Sequence, residues 1–123
     1  MRVILVDDSK TARTLLKRVF NELGAWEIME AENGQDALDK LVGVDSIDLA
    51  CIDWNMPVMN GLDFLKTVRK IPEFSHTWFM MVTSETEMDN ITKAMVSGAH
   101  EYVMKPYTKE IILAKLEMMG LIQ

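Results

Sequence analysis

Residues 49–61 read LACIDWNMPVMNG, and this stretch decides the fold of the chain. A short apolar run ends abruptly at Asp53, and Pro57, Asn60 and Gly61 then indicate a loop that leads into a helix. The pattern predicts a buried strand with a carboxylate at its carboxyl end. Ligands of open α/β sheets bind just outside the carboxyl ends of the strands, so Asp53 is a candidate for chemistry. On its own, an Asp at this place is explained more simply as the start of a turn or as a helix cap.

Apolar runs of strand length alternate with helical spacings along the whole chain. Strands are predicted at residues 2–6, 26–31, 47–52, 78–82 and 101–104. Apolar positions three and four residues apart follow each run, which predicts five helices. This alternation predicts an α/β fold of the flavodoxin-like kind, a doubly wound sheet of five parallel strands with helices on both faces. The expected strand order is 2-1-3-4-5, because Glu27 and Glu30 weaken the second strand and place it at an edge.

Apolar positions on the helices and strands identify the expected core. Leu15 and Leu16 belong to the predicted inner face of the first helix, and Met88 and Met95 to that of the fourth. The chain has eleven methionines, and most fall within strand or helix patterns, which favours core filling over a soft docking surface. The single cysteine, Cys51, lies inside an apolar run and is predicted to be a buried thiol.

Length and charge limit the function classes. A chain of 123 residues fits one domain, residues 1–123, that buries a core without disulfides. The net charge is -6 and the basic residues are dispersed, which argues against direct binding of nucleic acid or of an anionic membrane. The sequence shows neither a signal-peptide core nor an apolar run of about 18 residues. We therefore expect a cytoplasmic monomer.

Acids follow the first and third strands, which are neighbours in the expected topology. Asp7 and Asp8 come after the first strand, and Asp53 after the third. Two unit charges about 4 Å apart repel by roughly 4 kcal/mol near a protein surface, so three carboxylates need a compensating cation. Mg²⁺ suits them because it takes oxygen ligands and combines one or two carboxylates with phosphate and water. The alternative for Asp7 and Asp8 is that one of them caps the first helix.

The fourth and fifth strands end in groups of a different kind. Thr83 closes the fourth strand and Lys105 the fifth, and Pro106 restricts the backbone of Lys105. Phosphoryl transfer to a carboxylate requires a nucleophilic acid, metal-binding acids and cationic or hydroxyl donors at one place. Each residue has an ordinary explanation by itself, Thr83 as a strand residue and Lys105 as a solvated charge. Their combination favours a phosphoryl-transfer site.

These motifs stand at the spacings of a known family: VDD at residues 6–8, DWNMP at residues 53–57, Thr83 and Lys105-Pro106. Over its whole length the chain resembles the receiver domain of two-component response regulators, and its DWNMP run is similar to that of CheY-type chemotaxis regulators. The resemblance implies that Asp53 accepts a phosphoryl group from a histidine kinase or a phosphotransfer protein. It also implies a downstream target protein and a chain that catalyses only its own phosphorylation and dephosphorylation. A chemotaxis or motor output is favoured, and transfer within a phosphorelay and competition for a shared kinase are the alternatives.

The resemblance also implies a Mg²⁺ site. Asp8 and Asp53 are implied to ligate the ion directly, Asp7 to act mainly through water, and the main-chain carbonyl of Asn55 to complete the protein ligands. Trp54 lies next to the expected acceptor and offers an optical probe of the site.

A switch is implied by the same resemblance. Thr83 and Lys105 are implied to contact the phosphoryl group, and the Lys105–Pro106 peptide bond to be cis. Tyr102 matches the switch aromatic of the family. Once Asp53 carries phosphate, Thr83 is expected to move inward and to open space for the Tyr102 ring, so that the signal leaves through the fourth helix, fifth strand and fifth helix. Packing against the fourth helix is the ordinary explanation for Tyr102.

Two positions are expected to set the lifetime of the phosphate. Asn55 and Glu85 are predicted to lie over the open side of Asp53, from which water must attack. Both are polar and small enough to leave that water access, as in the fast-cycling chemotaxis regulators that the chain resembles. Prompt self-dephosphorylation is therefore expected. His76 and His100 match no catalytic position and are expected at the surface or at a strand edge.

Two other function classes stay open. A haloacid-dehalogenase-type phosphatase also uses an Asp nucleophile after a strand together with Mg²⁺. That class requires a second Asp two residues on, where this chain has Asn55, and the chain leaves no room for a cap domain. An interaction module that folds like a receiver but is never phosphorylated also fits the fold. The intact set of Asp53, Thr83 and Lys105 argues against it.

Overall fold

The computed structural model describes residues 1–85 and 88–122. Its strands within these residues are β1 (Arg2–Val6), β2 (Glu27–Ala31), β3 (Leu49–Ile52), β4 (Trp78–Thr83) and β5 (Glu101–Met104). They form one parallel sheet in the order β2-β1-β3-β4-β5. The predicted flavodoxin-like α/β class and strand order are confirmed, and β2 lies at an edge.

The described helices are α1 (Lys10–Glu22), α2 (Gly34–Leu41), α3 (Gly61–Val68), α4 (Met88–Val96) and α5 (Lys109–Met118), with a short 3-10 turn at Pro72–Phe74. A side-chain oxygen caps α1, α2, α3 and α5 by accepting a hydrogen bond from the amide three residues on; the caps are Ser9, Asn33, Asn60 and Thr108. Because Ser9 caps α1, the alternative that Asp7 or Asp8 does so is wrong. Both carboxylates remain available for the site.

Side chains alternate between the two faces of the sheet and build two core layers. On one face, Ala50 and Ile52 of β3 pack among residues of α2, α3 and α4. On the other face, Leu49 and Cys51 pack among residues of α1 and α5. All four β3 side chains are buried, as expected of a central parallel strand that is covered on both faces. Cys51 is a buried free thiol, which confirms that prediction.

Three predicted strand limits are corrected by the structure. β2 begins at Glu27 rather than one residue earlier, because the Trp26 amide donates to the Gly24 carbonyl at 2.9 Å in the preceding turn. β3 begins at Leu49, since the two residues before it belong to a loop that is hydrogen-bonded to the start of β1. β4 continues one residue further than predicted, to Thr83.

The buried stripes of α1 and α4 are narrower than their apolar patterns. Leu15 is 51% exposed although it was predicted to face the core, whereas Leu16 is 6% exposed. On α4, Met88 and Met95 are 72% and 41% exposed, while Ala94 is fully buried. Helical spacing therefore overestimated the core here, because it cannot tell how much of an apolar stripe a neighbouring element covers.

Core filling explains only part of the methionine content. Met80 and Met81 on β4 are fully buried and Met119 is 6% exposed. Large exposed fractions occur at Met1, Met88, Met95, Met104 and Met118. Met29, Met56 and Met59 are partly buried and pack against the core. Six of the eleven methionines therefore fill or border the core, as predicted, and five are exposed.

Hydrogen bonds of the sheet continue past the strand ends and fix where the acids lie. The Asp53 amide donates to the Val6 carbonyl at 2.9 Å, and the Asp7 amide donates to the Ala31 carbonyl at 3.0 Å. Both acids therefore leave the same edge of the sheet. Among the described residues, no helix has the length and apolar character that a membrane span requires.

Candidate functional site

Asp7, Asp8 and Asp53 form a carboxylate cluster at the carboxyl edge of the sheet. Each offers one oxygen, and these oxygens lie within 4.8 Å of one another. Asp7 is buried, Asp53 is half-buried and Asp8 is exposed. Partial burial strengthens the mutual repulsion, while Asp8 keeps one side of the cluster open to solvent. Hard oxygen donors at this spacing fit a divalent cation such as Mg²⁺.

The Lys105 ammonium group pairs with two of the three clustered carboxylates. Its Nζ is 2.6 Å from Asp7 Oδ2 and 3.6 Å from Asp53 Oδ2. The Lys105 amide donates to the Thr83 carbonyl at 2.9 Å, which ties the residue to the end of β4. The Lys105–Pro106 peptide bond is cis. One ammonium group does not neutralise three carboxylates, so the cluster retains negative charge for a metal cation.

Asp53 is the carboxylate with the most contacts of different kinds. Its Oδ1 accepts a hydrogen bond from the Trp54 amide at 2.8 Å. Burial raises the pKa of Asp53 above its usual value and the Asp7 charge adds to this, while the polar Thr83 side chain and the Lys105 cation oppose it. A more basic carboxylate is the better nucleophile, so the surroundings of Asp53 suit attack on an electrophile.

Thr83, Glu85 and Tyr102 form a hydrogen-bonded chain that leads away from Asp53. The fully buried Thr83 accepts a hydrogen bond on Oγ1 from the Glu85 amide at 3.2 Å. The Tyr102 hydroxyl donates to the Glu85 carbonyl at 2.7 Å. Burial, with the Glu85 and Asp53 charges, raises the pKa of Tyr102 to about 12, so its hydroxyl stays a donor. The Glu85 main chain thus joins the two predicted switch residues.

The first residue of α3 packs closely against the main chain of Asp53. A Cβ atom at Gly61 would lie 2.0 Å from the Asp53 carbonyl oxygen, which leaves room only for glycine. The Gly61 amide donates to the Trp54 carbonyl at 2.9 Å. Gly61 was noticed in the sequence only as a loop signal. Its contact with the candidate acceptor is a property of the fold.

Comparison with known proteins decides the family. Residues 3–117 match the response regulator receiver domain family. The chain belongs to this family. The receiver domain is 36% identical over 118 residues to the chemotaxis protein CheY1 of Helicobacter pylori, covering 96% of this chain and 95% of that protein.

Solved structures agree with this assignment. Chemotaxis protein CheY4 of Vibrio cholerae superposes with a TM-score of 0.87 at 31% identity, covering 96% of the receiver domain and 97% of that chain. CheY in a complex with CheX, BeF3 and Mg²⁺ from Borrelia burgdorferi superposes with a TM-score of 0.89 at 22% identity, covering 100% and 90%, a likeness of fold. The receiver domain is thus of the type found in CheY chemotaxis response regulators of two-component signalling.

The predicted lifetime residues of the receiver domain lie beyond two strand ends. Asn55 is exposed, two residues after Asp53, and Glu85 is half-buried, two residues after Thr83. Their roles stay predictions. Trp54 is 9% exposed, so the indole expected to report on the site is packed in the core beside it.

Sequence reasoning missed Arg13 of the receiver domain. Its Nη1 donates to the main-chain carbonyl of Asp7 at 2.6 Å, and its Nε donates to Glu30 Oε1 at 3.1 Å. Its position in the sequence could have indicated this contact. Arg13 lies on α1 one helical turn after Ser9, and helical side chains tilt towards the helix N-terminus, where the acids lie.

The structure also gives His100 a role that the sequence did not indicate. It lies at a strand edge, just before β5, and its Nδ1 accepts a hydrogen bond from the Phe79 amide at 3.0 Å. Its ring packs edge-to-face on Trp78 with centroids 4.8 Å apart. Burial and then the Arg69 cation lower the pKa of His100, so the neutral ring that can accept this bond is favoured. His76 is exposed, as expected.

Proposed function

We propose that this receiver domain, residues 1–123 as one domain, accepts a phosphoryl group on Asp53 in a Mg²⁺-dependent reaction and then switches a protein-binding face. The donor is a histidine kinase or a phosphotransfer protein. The signal passes to a downstream target protein in a chemotaxis or motor-type response, inside the cytoplasm, from a monomer that contacts neither nucleic acid nor membrane. The observation that carries the proposal is the half-buried Asp53 carboxylate, which lies in a cluster with Asp7 and Asp8 and is 3.6 Å from the Lys105 ammonium group.

Asp53 supplies the nucleophile in this proposal. The Trp54 amide holds one carboxylate oxygen, and the other faces Lys105. During transfer an Asp53 oxygen forms a bond to phosphorus while the bond between phosphorus and the donor's imidazole nitrogen breaks. The Lys105 ammonium and the Thr83 hydroxyl are positioned to donate hydrogen bonds to the phosphoryl oxygens.

The residues that would hold Mg²⁺ are Asp8, Asp53 and the main-chain carbonyl of Asn55, with Asp7 acting through water. Bound Mg²⁺ supplies positive charge that stabilises the phosphoryl oxygens. The exposure of Asp8 leaves space for water ligands, and the close contact of Asp7 with Lys105 supports an indirect role for Asp7. The Borrelia CheY complex, which contains Mg²⁺ and BeF3, has the same fold.

The switch in the proposal uses the Thr83, Glu85 and Tyr102 chain. A phosphoryl group on Asp53 adds new charged acceptor oxygens within reach of the Thr83 hydroxyl, and hydrogen bonds to charged acceptors are about twice as strong as neutral ones. A shift of Thr83 changes its bond with the Glu85 amide, and the Glu85 carbonyl holds Tyr102. Phosphorylation then biases the Tyr102 ring between two packings only through its different interactions with the two states.

The elements α4, β5 and α5 carry exposed apolar side chains. These are Met88, Met95, Val96, Met104, Ile111 and Met118. Methionine is flexible and polarisable, and surfaces rich in it adapt to the shape of a partner. This supports the assignment of the target-binding face to these three elements.

Short phosphate lifetime completes the proposal. Water must reach phosphorus in line with the Asp53 oxygen, and Asn55 and Glu85 are the predicted flanking positions. The exposed amide of Asn55 leaves that approach open, so prompt self-dephosphorylation follows.

Labelling with a small acyl phosphate donor tests the acceptor. We expect one phosphate per chain in the presence of Mg²⁺, and none with Asp53→Asn or with a chelator. Asp45→Asn is the matched control, because Asp45 is an exposed acid between α2 and β3, and its variant should label as the parent does. Full labelling of Asp53→Asn would reject the acceptor assignment. A parent that takes up no phosphate would favour the interaction module that is never phosphorylated.

A further inference from the structure

Arg13 contacts the main chain of the acid cluster rather than its carboxylates. It lies on α1, and its side chain is 14% exposed. Its Nη1 donates to the Asp7 main-chain oxygen at 2.6 Å, which makes this a short charge-assisted hydrogen bond. That oxygen belongs to the peptide group that joins Asp7 to Asp8. Its orientation therefore bears on the direction of both side chains.

The guanidinium group is itself anchored at a second point. Its Nε donates to Glu30 Oε1 at 3.1 Å, and Glu30 lies on β2. Lys17 also pairs with Glu30, with its Nζ 3.4 Å from Oε2. Arg13 thus bridges β2 and the end of β1, and only a fork of fixed geometry can make both contacts at once.

Asp7 is held at two further points. The Asp7 amide donates to the Ala31 carbonyl at 3.0 Å, and Asp7 Oδ1 accepts a hydrogen bond from the Ser9 amide at 2.9 Å. The Asp7 carbonyl is the remaining main-chain polar group of that residue, and Arg13 is the side chain that satisfies it. Arg13 therefore supplies one of the hydrogen bonds that hold the main chain just after β1.

We infer that Arg13 is a positioning residue for the Mg²⁺ site: it orients the peptide between Asp7 and Asp8, and thereby the carboxylates that would hold the ion. This inference rests on the proposed function. Groups that orient metal ligands without touching the ion typically change metal affinity by about 10–100-fold when they are removed.

Charge alone gives the opposite expectation, which makes the inference testable. Arg13 is a cation close to an anionic site, so its removal should strengthen the binding of a divalent cation if Coulomb repulsion were its main effect. Replacement by lysine keeps the charge, so a charge effect predicts no change. A positioning role predicts weaker binding in both cases, because lysine lacks the fork that spans Asp7 and Glu30.

The experiment is a Mg²⁺ titration at constant ionic strength, followed by Trp54 emission and by calorimetry. The proteins are the parent, Arg13→Gln, Arg13→Lys and Lys17→Gln. The last is the matched control, because it removes a cation from the same Glu30 without touching the Asp7 carbonyl. We expect the dissociation constant to rise about 10-fold for Arg13→Gln, to rise by a smaller factor for Arg13→Lys, and to stay the same or fall slightly for Lys17→Gln.

The outcomes separate this inference from the proposed function. A parent that binds no Mg²⁺ rejects the proposed metal dependence. A parent that binds Mg²⁺ while both Arg13 variants bind it equally well or more tightly overturns the positioning role alone. If Lys17→Gln weakens Mg²⁺ binding as much as the Arg13 variants do, the positioning role is also overturned, since the loss of affinity would then come from the changed charge around Glu30. Chemical denaturation establishes that each variant is folded, and Arg13→Lys decides the question if Arg13→Gln does not fold.

Discussion

Replacing Gly61 by alanine tests whether the main chain of Asp53 has to lie where it does. The new Cβ would lie 2.0 Å from the Asp53 carbonyl oxygen, whereas real Cβ atoms essentially never approach within 3.0 Å, so the two must separate by about 1 Å. Both belong to main chain, at the end of β3 and the start of α3, and no side-chain rotation relieves the contact. Overpacking of this kind lowers the free energy of unfolding by about 1–3 kcal/mol. A displacement of about 1 Å can slow a reaction about 100-fold, so we expect Gly61→Ala to be phosphorylated about 100 times more slowly.

The assay measures the unfolding free energy by urea denaturation and the initial rate of labelling by an acyl phosphate donor with Mg²⁺. Gly43→Ala is the matched control. Gly43 has φ +81°, and no described atom lies within 4 Å of its added Cβ. Alanine there adds backbone strain of about 1–2 kcal/mol without touching the acceptor. We expect both variants to lose stability and only Gly61→Ala to lose rate. Parental labelling of Gly61→Ala, or an equal loss in Gly43→Ala, refutes the reasoning.

Four other predictions address different parts of the molecule. Val58 has φ 68°, in the left-handed region of the backbone map, and is 83% exposed. Val58→Gly should remove the strain of a β-branched residue in that conformation and raise the free energy of unfolding, measured with urea, by about 1 kcal/mol. The pKa of His100 is lowered in the folded state, so the neutral ring stabilises the fold fully above the ordinary pKa of 6.5, and this stabilisation is lost as the pH falls below that value. His100→Leu should therefore reduce the pH dependence of the unfolding free energy between about pH 5 and pH 8, which roughly brackets that value. An unchanged dependence on pH would contradict this. Thr83→Ala should still accept phosphate yet bind its target like the unphosphorylated protein, and a full gain in affinity on phosphorylation would show that the signal takes another route. Asn55→Arg combined with Glu85→Tyr should slow loss of phosphate after donor removal, and decay at the parental rate would remove both residues from the lifetime mechanism.

The sequence predicted the fold class, the strand order and the set of acids because those depend on local patterns. Alternating apolar runs and helical spacings specify strands and helices, and parallel strands bring their carboxyl ends to one edge. The sequence therefore predicted that Asp7, Asp8 and Asp53 lie together, as they do in the structure. Helix faces were predicted less well, since Leu15 and Met88 are exposed. An apolar spacing does not say whether a neighbouring element covers it.

Tertiary structure alone decided which contacts these residues make. The pairing of Lys105 with Asp7 at 2.6 Å spans almost the whole chain, and the sequence offers no sign of which carboxylate the ammonium group prefers. The approach of Gly61 to the Asp53 carbonyl and the bond from Arg13 to the Asp7 carbonyl involve main-chain oxygens, which every residue type possesses. A main-chain atom leaves no mark in a residue pattern, so its partners appear only when the chain is folded. The physical reason is that side-chain chemistry is written in the sequence, whereas the position of the peptide groups is set by packing.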